Sequence, residues 1–221
     1  MTKQYNLEIG KNNFFLFPSP FIWWKKIKSH EKIKEKYLPL IMDDMKSNGK
    51  QYYEENTWNC NVTSSFFNIK NNENIFDEKF FNKVIWEPID EMIEELSPII
   101  QLRNPVFSNI CQIWYNFYEK NNWQEIHNHI DFACVPDSGN SYFVSSFSGI
   151  YLMNLKSKND TFFVNSSTSM NCFSYTPMQT LNTSNLTEGH VIIFPSELMH
   201  YVAPNLSKNR ITVSFNIITK Y

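Results

Sequence analysis

The 221-residue chain has five histidines, at His30, His127, His129, His190 and His200, and two of them stand in a run with metal-chelate spacing. In Glu125-Ile126-His127-Asn128-His129-Ile130-Asp131, positions 127, 129 and 131 fall on one side of an extended strand. Two imidazoles so placed can converge on one ion. A third ligand from a distant strand would then close a triangular face and leave positions open for substrate or oxygen. His200 is the distant ligand of choice, because it follows a buried-looking apolar strand and a turn containing Pro195. An HxH pair alone is a weak signal, and a lone histidine is more often structural. Arg210, ten residues after His200, strengthens the constellation. A guanidinium held inside a barrel calls for an anionic partner, since burying a charge unpaired is costly, and a carboxylate accepts its paired N–H groups.

The final strand shows how these groups could be positioned. In RITVSFNII, Ile211, Val213, Phe215 and Ile217 share one face, and Arg210, Thr212, Ser214 and Asn216 share the other. In an ordinary sheet the polar face would look at water. In a small barrel covered outside by helices it would line the lumen, where a ligand could sit. Further strands are expected over residues 108–118, 145–155 and 190–194, all rich in aromatic and β-branched residues, with one short strand at 61–69. Residues 23–45 have loosely helical spacing broken near Pro39. Residues 77–96 form a better helix, with Asp77 as cap, an apolar stripe and a kink or division at Pro88.

The predicted fold is therefore α+β, mainly β, in a single domain over residues 1–221. A mostly helical support region (1–104) packs outside a β-sandwich or barrel core (105–221). Loops at 131–144 and 165–171 read as insertions at the barrel rim.

Composition narrows the function. Twenty basic against 22 acidic residues, net −2, give no field that would concentrate nucleic acid or an anionic membrane. No apolar run approaches the roughly 18–20 residues of a spanning helix, and the first dozen residues lack a signal-peptide layout. A soluble, cytoplasmic protein is the expectation. The five glycines never approach GxGxxG or GxxxxGK[ST] spacing, which excludes phosphate cradles of those kinds. Cys60, Cys111, Cys134 and Cys172 never form CxxC. They read as free buried thiols.

The segments IHNH (126–129), SGIYL (148–152), EGHVIIFPSELMHYVAPN (188–205) and RITVSFN (210–216) resemble the iron(II)/2-oxoglutarate-dependent oxygenases. The likeness is greatest to a branch of bacterial, marine and phage sequences related to the prolyl hydroxylase-like group, whose opening LFPSP (16–20) is also similar to. It covers the chain well from about residue 105 onward.

The resemblance implies a double-stranded β-helix, the jelly-roll or cupin-like barrel, with Fe(II) at its mouth. His127 and His200 would be metal ligands, and Arg210, helped by Thr212, would hold the distal carboxylate of 2-oxoglutarate. Such oxygenases mostly use His-x-Asp/Glu, so His129 would make a three-histidine site. The register His129-Ile130-Asp131 would instead restore two histidines and a carboxylate through Asp131. A tyrosine that often touches 2-oxoglutarate is missing from the shortened Tyr151-Leu152 motif, and Asn116 or Tyr118 could compensate. The activity implied is hydroxylation of a small-molecule or protein substrate with O2, 2-oxoglutarate being decarboxylated to succinate. Two rivals remain at this point. One is a cupin that binds metal without 2-oxoglutarate, although the glutamate expected after HxH is absent and Arg210 would have no role. The other is a non-catalytic sugar- or protein-binding jelly roll, motivated by the six tryptophans and eleven tyrosines.

Overall fold

The computed structural model describes residues 21–54, 60–66, 68, 72, 74–100, 106–130, 135–136, 142–143, 145–156, 161–165 and 179–220. Asp131, the opening at 16–20, most of the insertions at 131–144 and 165–171, Cys134 and Cys172 lie outside the described residues.

In chain order the elements are β1 (Trp23–Lys26), α1 (His30–Glu54), β2 (Thr63–Ser64), α2 (Glu78–Phe80), a π-helical stretch (Phe81–Trp86) and α3 (Glu87–Ile100). Strands follow: β3 (Val106–Tyr118), β4 (Gln124–His127), β5 (Val135–Pro136), β6 (Tyr142–Phe143), β7 (Ser145–Asn154) and β8 (Thr161–Asn165). The chain closes with β9 (Gln179–Asn182), β10 (His190–Pro195), β11 (Met199–Val202) and β12 (Arg210–Lys220). A six-stranded sheet runs β1-β10-β7-β12-β3-β2 and a four-stranded sheet runs β4-β11-β8-β9, with every pairing antiparallel. The two sheets are the halves of a double-stranded β-helix.

Period-two alternation divides the apolar side chains between two layers. Ile113, Tyr115 and Phe117 of β3, Tyr151 and Met153 of β7, and the apolar face of β12 join one buried cluster with Ile33, Tyr37 and Ile41 of α1 and Ile89 and Met92 of α3. The four-residue steps 33, 37 and 41 put those α1 side chains on one stripe. Helices therefore cover the outer face of the large sheet. Ile150 and Leu152 point the other way, between the sheets, with Phe163, Ile192 and Phe194. Phe215 lies flat over Gly149, its cross-strand partner. A Cβ at that glycine would come within 2.1 Å of the ring.

Helix α1 is pinned to the barrel at its first residue. His30 Nδ1 meets the Tyr151 hydroxyl at 2.6 Å and Nε2 meets Glu188 Oε1 at 3.2 Å. Gly189, at φ +86, lets the chain pass against the imidazole, where an added Cβ would sit 2.8 Å from His30 Cγ. Lys34 also binds Glu188, whose other oxygen accepts from the Leu155 N–H at 2.6 Å. Burial raises the Glu188 pKa, but these three donors outweigh it and hold the carboxyl below its ordinary value.

The helical region departs from the sequence expectation in three places. Trp23–Lys26 is an edge strand beside β10 and not the start of a helix, because its backbone pairs with residues 190–193. Helix α1 runs through Pro39 without ending, held by its packed stripe. At Pro88 a change of winding stands in place of a break: the π-helical stretch ends at Trp86 and α3 begins at Glu87. A π-bulge widens the backbone hydrogen-bond ring by one residue, which accommodates a missing donor. Of the strand expected over 61–69, Thr63–Ser64 alone among the described residues pairs in the sheet, Asn61 adding an isolated bridge to Trp123. Among the described residues no helix is long and apolar enough to cross a membrane.

Candidate metal centre and cosubstrate pocket

Register brings the histidines together. His200 on β11 lies directly across from His127 on β4, and directly opposed Cβ atoms in an antiparallel pair are about 5 Å apart. The next pair is Val202 with Gln124, so three residue steps on β4 match two on β11. The extra residue is a β-bulge at Glu125-Ile126. Bulges re-aim side chains, and this one turns both Gln124 and His127 into the barrel. His129 follows just beyond the strand, its backbone N–H donating to Ser196 O at 2.8 Å. Ring centroids are 4.3 Å apart for His127 and His200, 5.0 Å for His129 and His200, and 5.3 Å for His127 and His129. One nitrogen from each ring lies within 4.8 Å of the others.

Each ring has its other nitrogen anchored. His127 Nδ1 donates to Glu125 O at 2.7 Å, the bulge carbonyl, and His200 Nδ1 donates to Leu198 O at 3.1 Å. His129 Nδ1 donates to Asn216 Oδ1 at 2.8 Å. A proton on Nδ1 leaves Nε2 as the lone-pair nitrogen in all three rings. Phe163 and Phe194 pack on His200, and Trp114 packs on His129. Burial, reinforced by the neighbouring imidazoles, pushes His129 down to about 3 and His200 well below its ordinary value. Burial likewise lowers His127. The trio is thus neutral at physiological pH, the protonation state that binds a metal. The donor set suits Fe(II), which accepts imidazole.

The cavity beside the trio is narrow, with about 10 Å³ open to the centre of a water-sized molecule. Arg210, Thr212, Asn116 and Tyr118 line it together with the three histidines, and no Asp or Glu does among the described residues. Arg210 is 1% exposed. Its Nη2 donates to Thr161 Oγ1 at 3.0 Å and its guanidinium lies 4.6 Å from the centre of the Tyr118 ring. Tyr118 donates in turn to Gln124 Oε1 at 2.9 Å. Burial raises the Tyr118 phenol to about 12, so it remains a protonated donor. Ile150 lines the cavity while Tyr151 turns to the helices and His30. The pocket wall that lacks a tyrosine on β7 has Tyr118 on β3.

The structure therefore gathers His127, His129, His200, Arg210, Thr212, Asn116 and Tyr118 around one cavity. Residues 112–216 match the family described as "Putative 2OG-Fe(II) oxygenase". Over that stretch, just under half of its length, the chain is similar to the iron(II)/2-oxoglutarate oxygenases. The oxygenase is an oxidoreductase that uses Fe(II), 2-oxoglutarate and O2.

Solved structures share its fold at low identity. A prolyl-4-hydroxylase from Pseudomonas putida is 9% identical with TM-score 0.51, over 90% of this chain and 93% of that one. A prolyl hydroxylase from Trichoplax adhaerens, in complex with a hypoxia inducible factor oxygen degradation domain peptide fragment, is 9% identical with TM-score 0.53, over 89% and 83%. The non-haem alpha-ketoglutarate-dependent carbocyclase SnoK from nogalamycin biosynthesis is 9% identical with TM-score 0.55, over 90% and 80%. No curated protein sequence matches the chain.

Several residues of the oxygenase's site carry no signature in the sequence. Thr161 and Gln124 reach Arg210 and Tyr118 from strands too short to show alternation. Ser148 and Ser196, joined by a 2.8 Å hydrogen bond, stand behind His129. Asn216 could have been found, since it shares the polar face of β12 with Arg210. A second grouping of metal-binding types, His30, Glu31 and Glu188, is accounted for by the contacts that pin α1.

Proposed function

We propose that the oxygenase hydroxylates a C–H bond of its substrate while 2-oxoglutarate is oxidatively decarboxylated to succinate and CO2. One oxygen atom of O2 enters the new hydroxyl and the other enters succinate. Fe(II) is held by His127, His129 and His200, and the distal carboxylate of 2-oxoglutarate by Arg210 with Thr212. The observation that carries this reading is that a buried guanidinium and three neutral imidazoles open into one cavity lined by no carboxylate among the described residues.

Bound iron and keto acid supply the oxygen-activating chemistry; the chain supplies charge, orientation and dryness. Three neutral imidazoles leave both charges of the ion uncompensated, and Arg210 adds a third, so the pocket favours a dianion. Tyr118 acts through Arg210 as a positioning residue: its ring supports the guanidinium and its hydroxyl is held by Gln124. Asn116, whose Nδ2 donates to Ser214 Oγ at 3.1 Å, stands between Arg210 and the histidines. Phe163 and Phe194 keep water from the imidazoles, which strengthens the electrostatics there.

Anaerobic addition of 2-oxoglutarate to the Fe(II)-loaded protein tests the reading. The weak visible charge-transfer band of a chelated keto acid is expected, absent in His200→Ala, together with slow succinate release when O2 is admitted. Iron binding with no spectral response to 2-oxoglutarate would overturn it in favour of a metal-binding jelly roll.

A further inference from the structure

The inward side of the β3–β12 pair is a row of polar partners set by register. Arg210 stands opposite Tyr118, Thr212 opposite Asn116, Ser214 opposite Trp114, and Asn216 opposite Gln112. The first pair carries the guanidinium, and the last holds His129 through Asn216. Alternate residues on a strand are about 6.6 Å apart. The two middle pairs therefore lie between the anion anchor and the histidine trio, alongside any molecule that bridges them.

On that row Trp114 stands out. It is 3% exposed, it lines the cavity, and its Nε1–H has no hydrogen-bond partner among the described residues. Phe66 meets the ring edge-on at 5.0 Å and His129 lies 5.5 Å away, so the indole is fixed at the metal end of the row. Buried donors are almost always paired, and an unpaired one in a folded protein asks for an explanation. Indole nitrogen can only donate, so its partner must present an acceptor. Asn116 Oδ1, on the same row and likewise without a partner among the described residues, belongs to an amide that can turn over against the Ser214 hydroxyl. Trp114 has no such freedom.

We propose that Trp114 is a cosubstrate-binding residue whose indole N–H donates to an oxygen at the metal end of the bound 2-oxo acid. This rests on the 2-oxoglutarate reading above. Arg210 grips one end of the dianion and Trp114 recognises the other, so the pocket measures the ligand's length as well as its charge. The indole also fixes the rotation of the keto-acid end about the chain, which the three imidazoles do not control.

Trp114→Phe keeps a ring against Phe66 and removes the donor. With Mn(II) in place of iron no turnover occurs, and calorimetry can read 2-oxoglutarate and Mn(II) affinities separately. The expected result is a loss of about tenfold or more in 2-oxoglutarate affinity, the size of a hydrogen bond to a charged acceptor, with Mn(II) affinity unchanged. Unchanged 2-oxoglutarate affinity overturns the proposal. So does a parallel loss of Mn(II) affinity, which would make Trp114 a packing support for His129. Failure of the wild-type Mn(II) protein to bind 2-oxoglutarate would overturn the parent reading instead. A second measurement does not depend on the variant's folding. In the Zn(II)-loaded wild type, one indole N–H proton resonance should move downfield on adding 2-oxoglutarate, and six unmoved indole resonances would overturn the assignment.

Discussion

Asn216 Oδ1 accepts two hydrogen bonds at 2.8 Å, one from His129 Nδ1 and one from Ser148 Oγ, while its Nδ2 donates to Gln112 Oε1 at 3.1 Å. The amide cannot turn over without breaking all three, so it sets which nitrogen of His129 faces the cavity. Asn216→Ala should lower Co(II) or Fe(II) affinity by about 10- to 100-fold, the usual effect of removing such a partner. Asn216→Asp should retain binding, because a carboxylate also accepts from Nδ1. Unaltered affinity in Asn216→Ala would mean that His129 is not a ligand, which would exclude the three-histidine site and the His129-Ile130-Asp131 register alike.

Replacing Arg210 with Leu separates the two ends of the pocket. Loss of a buried charge partner costs about 2–5 kcal/mol in binding, so 2-oxoglutarate affinity should fall at least about 30-fold. Metal affinity should hold, since Arg210 hydrogen-bonds to Thr161 and lies over Tyr118. Equal loss of both would make Arg210 a structural residue.

Metal loading should stabilise the fold by tying its sheets together. His127 belongs to the small sheet, whereas His129 is hydrogen-bonded to residues 148 and 216 of the large one. A divalent ion at a hundred times its Kd should add about 2.7 kcal/mol. Thermal melts with and without Mn(II) would show the shift, and His200→Ala should abolish it.

At Gly149, substitution by alanine forces a methyl into the Phe215 ring at 2.1 Å. Overpacking of this kind costs about 1–3 kcal/mol. Urea unfolding of Gly149→Ala should show that loss, and Phe215→Leu in the same chain should recover part of it.

Asp77 ties the start of α2 to α1. Its carboxylate accepts from the Phe80 N–H at 3.2 Å and binds Lys36 and Tyr37, and chiefly the Lys36 contact lowers its pKa to about 2. A depressed pKa means the stabilisation is fully present above the unfolded value near 3.8 and is lost as pH falls through about 2. Asp77→Ala should cost about 1 kcal/mol at neutral pH. The gap between the variant and the wild type should close between pH 4 and 2, as followed by denaturant titration.

What could be read in the sequence follows from how local each signal is. Alternation along β12 is a property of consecutive residues, so both its faces were assignable: Arg210 and Thr212 line the cavity, and Ile211 to Ile217 meet the helices. Asp77 was legible as a cap for the same reason. Trp23–Lys26 was not, because what makes it a strand is pairing with residues more than 160 positions away. Thr161, Gln124 and Ser148 carry no pattern of their own and matter only through partners brought to them by the fold. Pro39 misled because packing of one helical stripe outweighs a single missing hydrogen bond.

The irregularity at Glu125-Ile126 ties the activity to a count of residues as much as to their kinds. Deleting one of the two would leave every histidine in the chain and most of the barrel's contacts intact. It would also restore strict alternation to β4: His127 and Gln124, then two residues apart, would still share a face, but the bulge that sets the Glu125 carbonyl against His127 Nδ1 would be gone, and with it the contact that turns Nε2 to the cavity. A single lost codon could thus silence the centre while sparing the fold, a route to an inactive homologue that a comparison of ligand residues alone would miss.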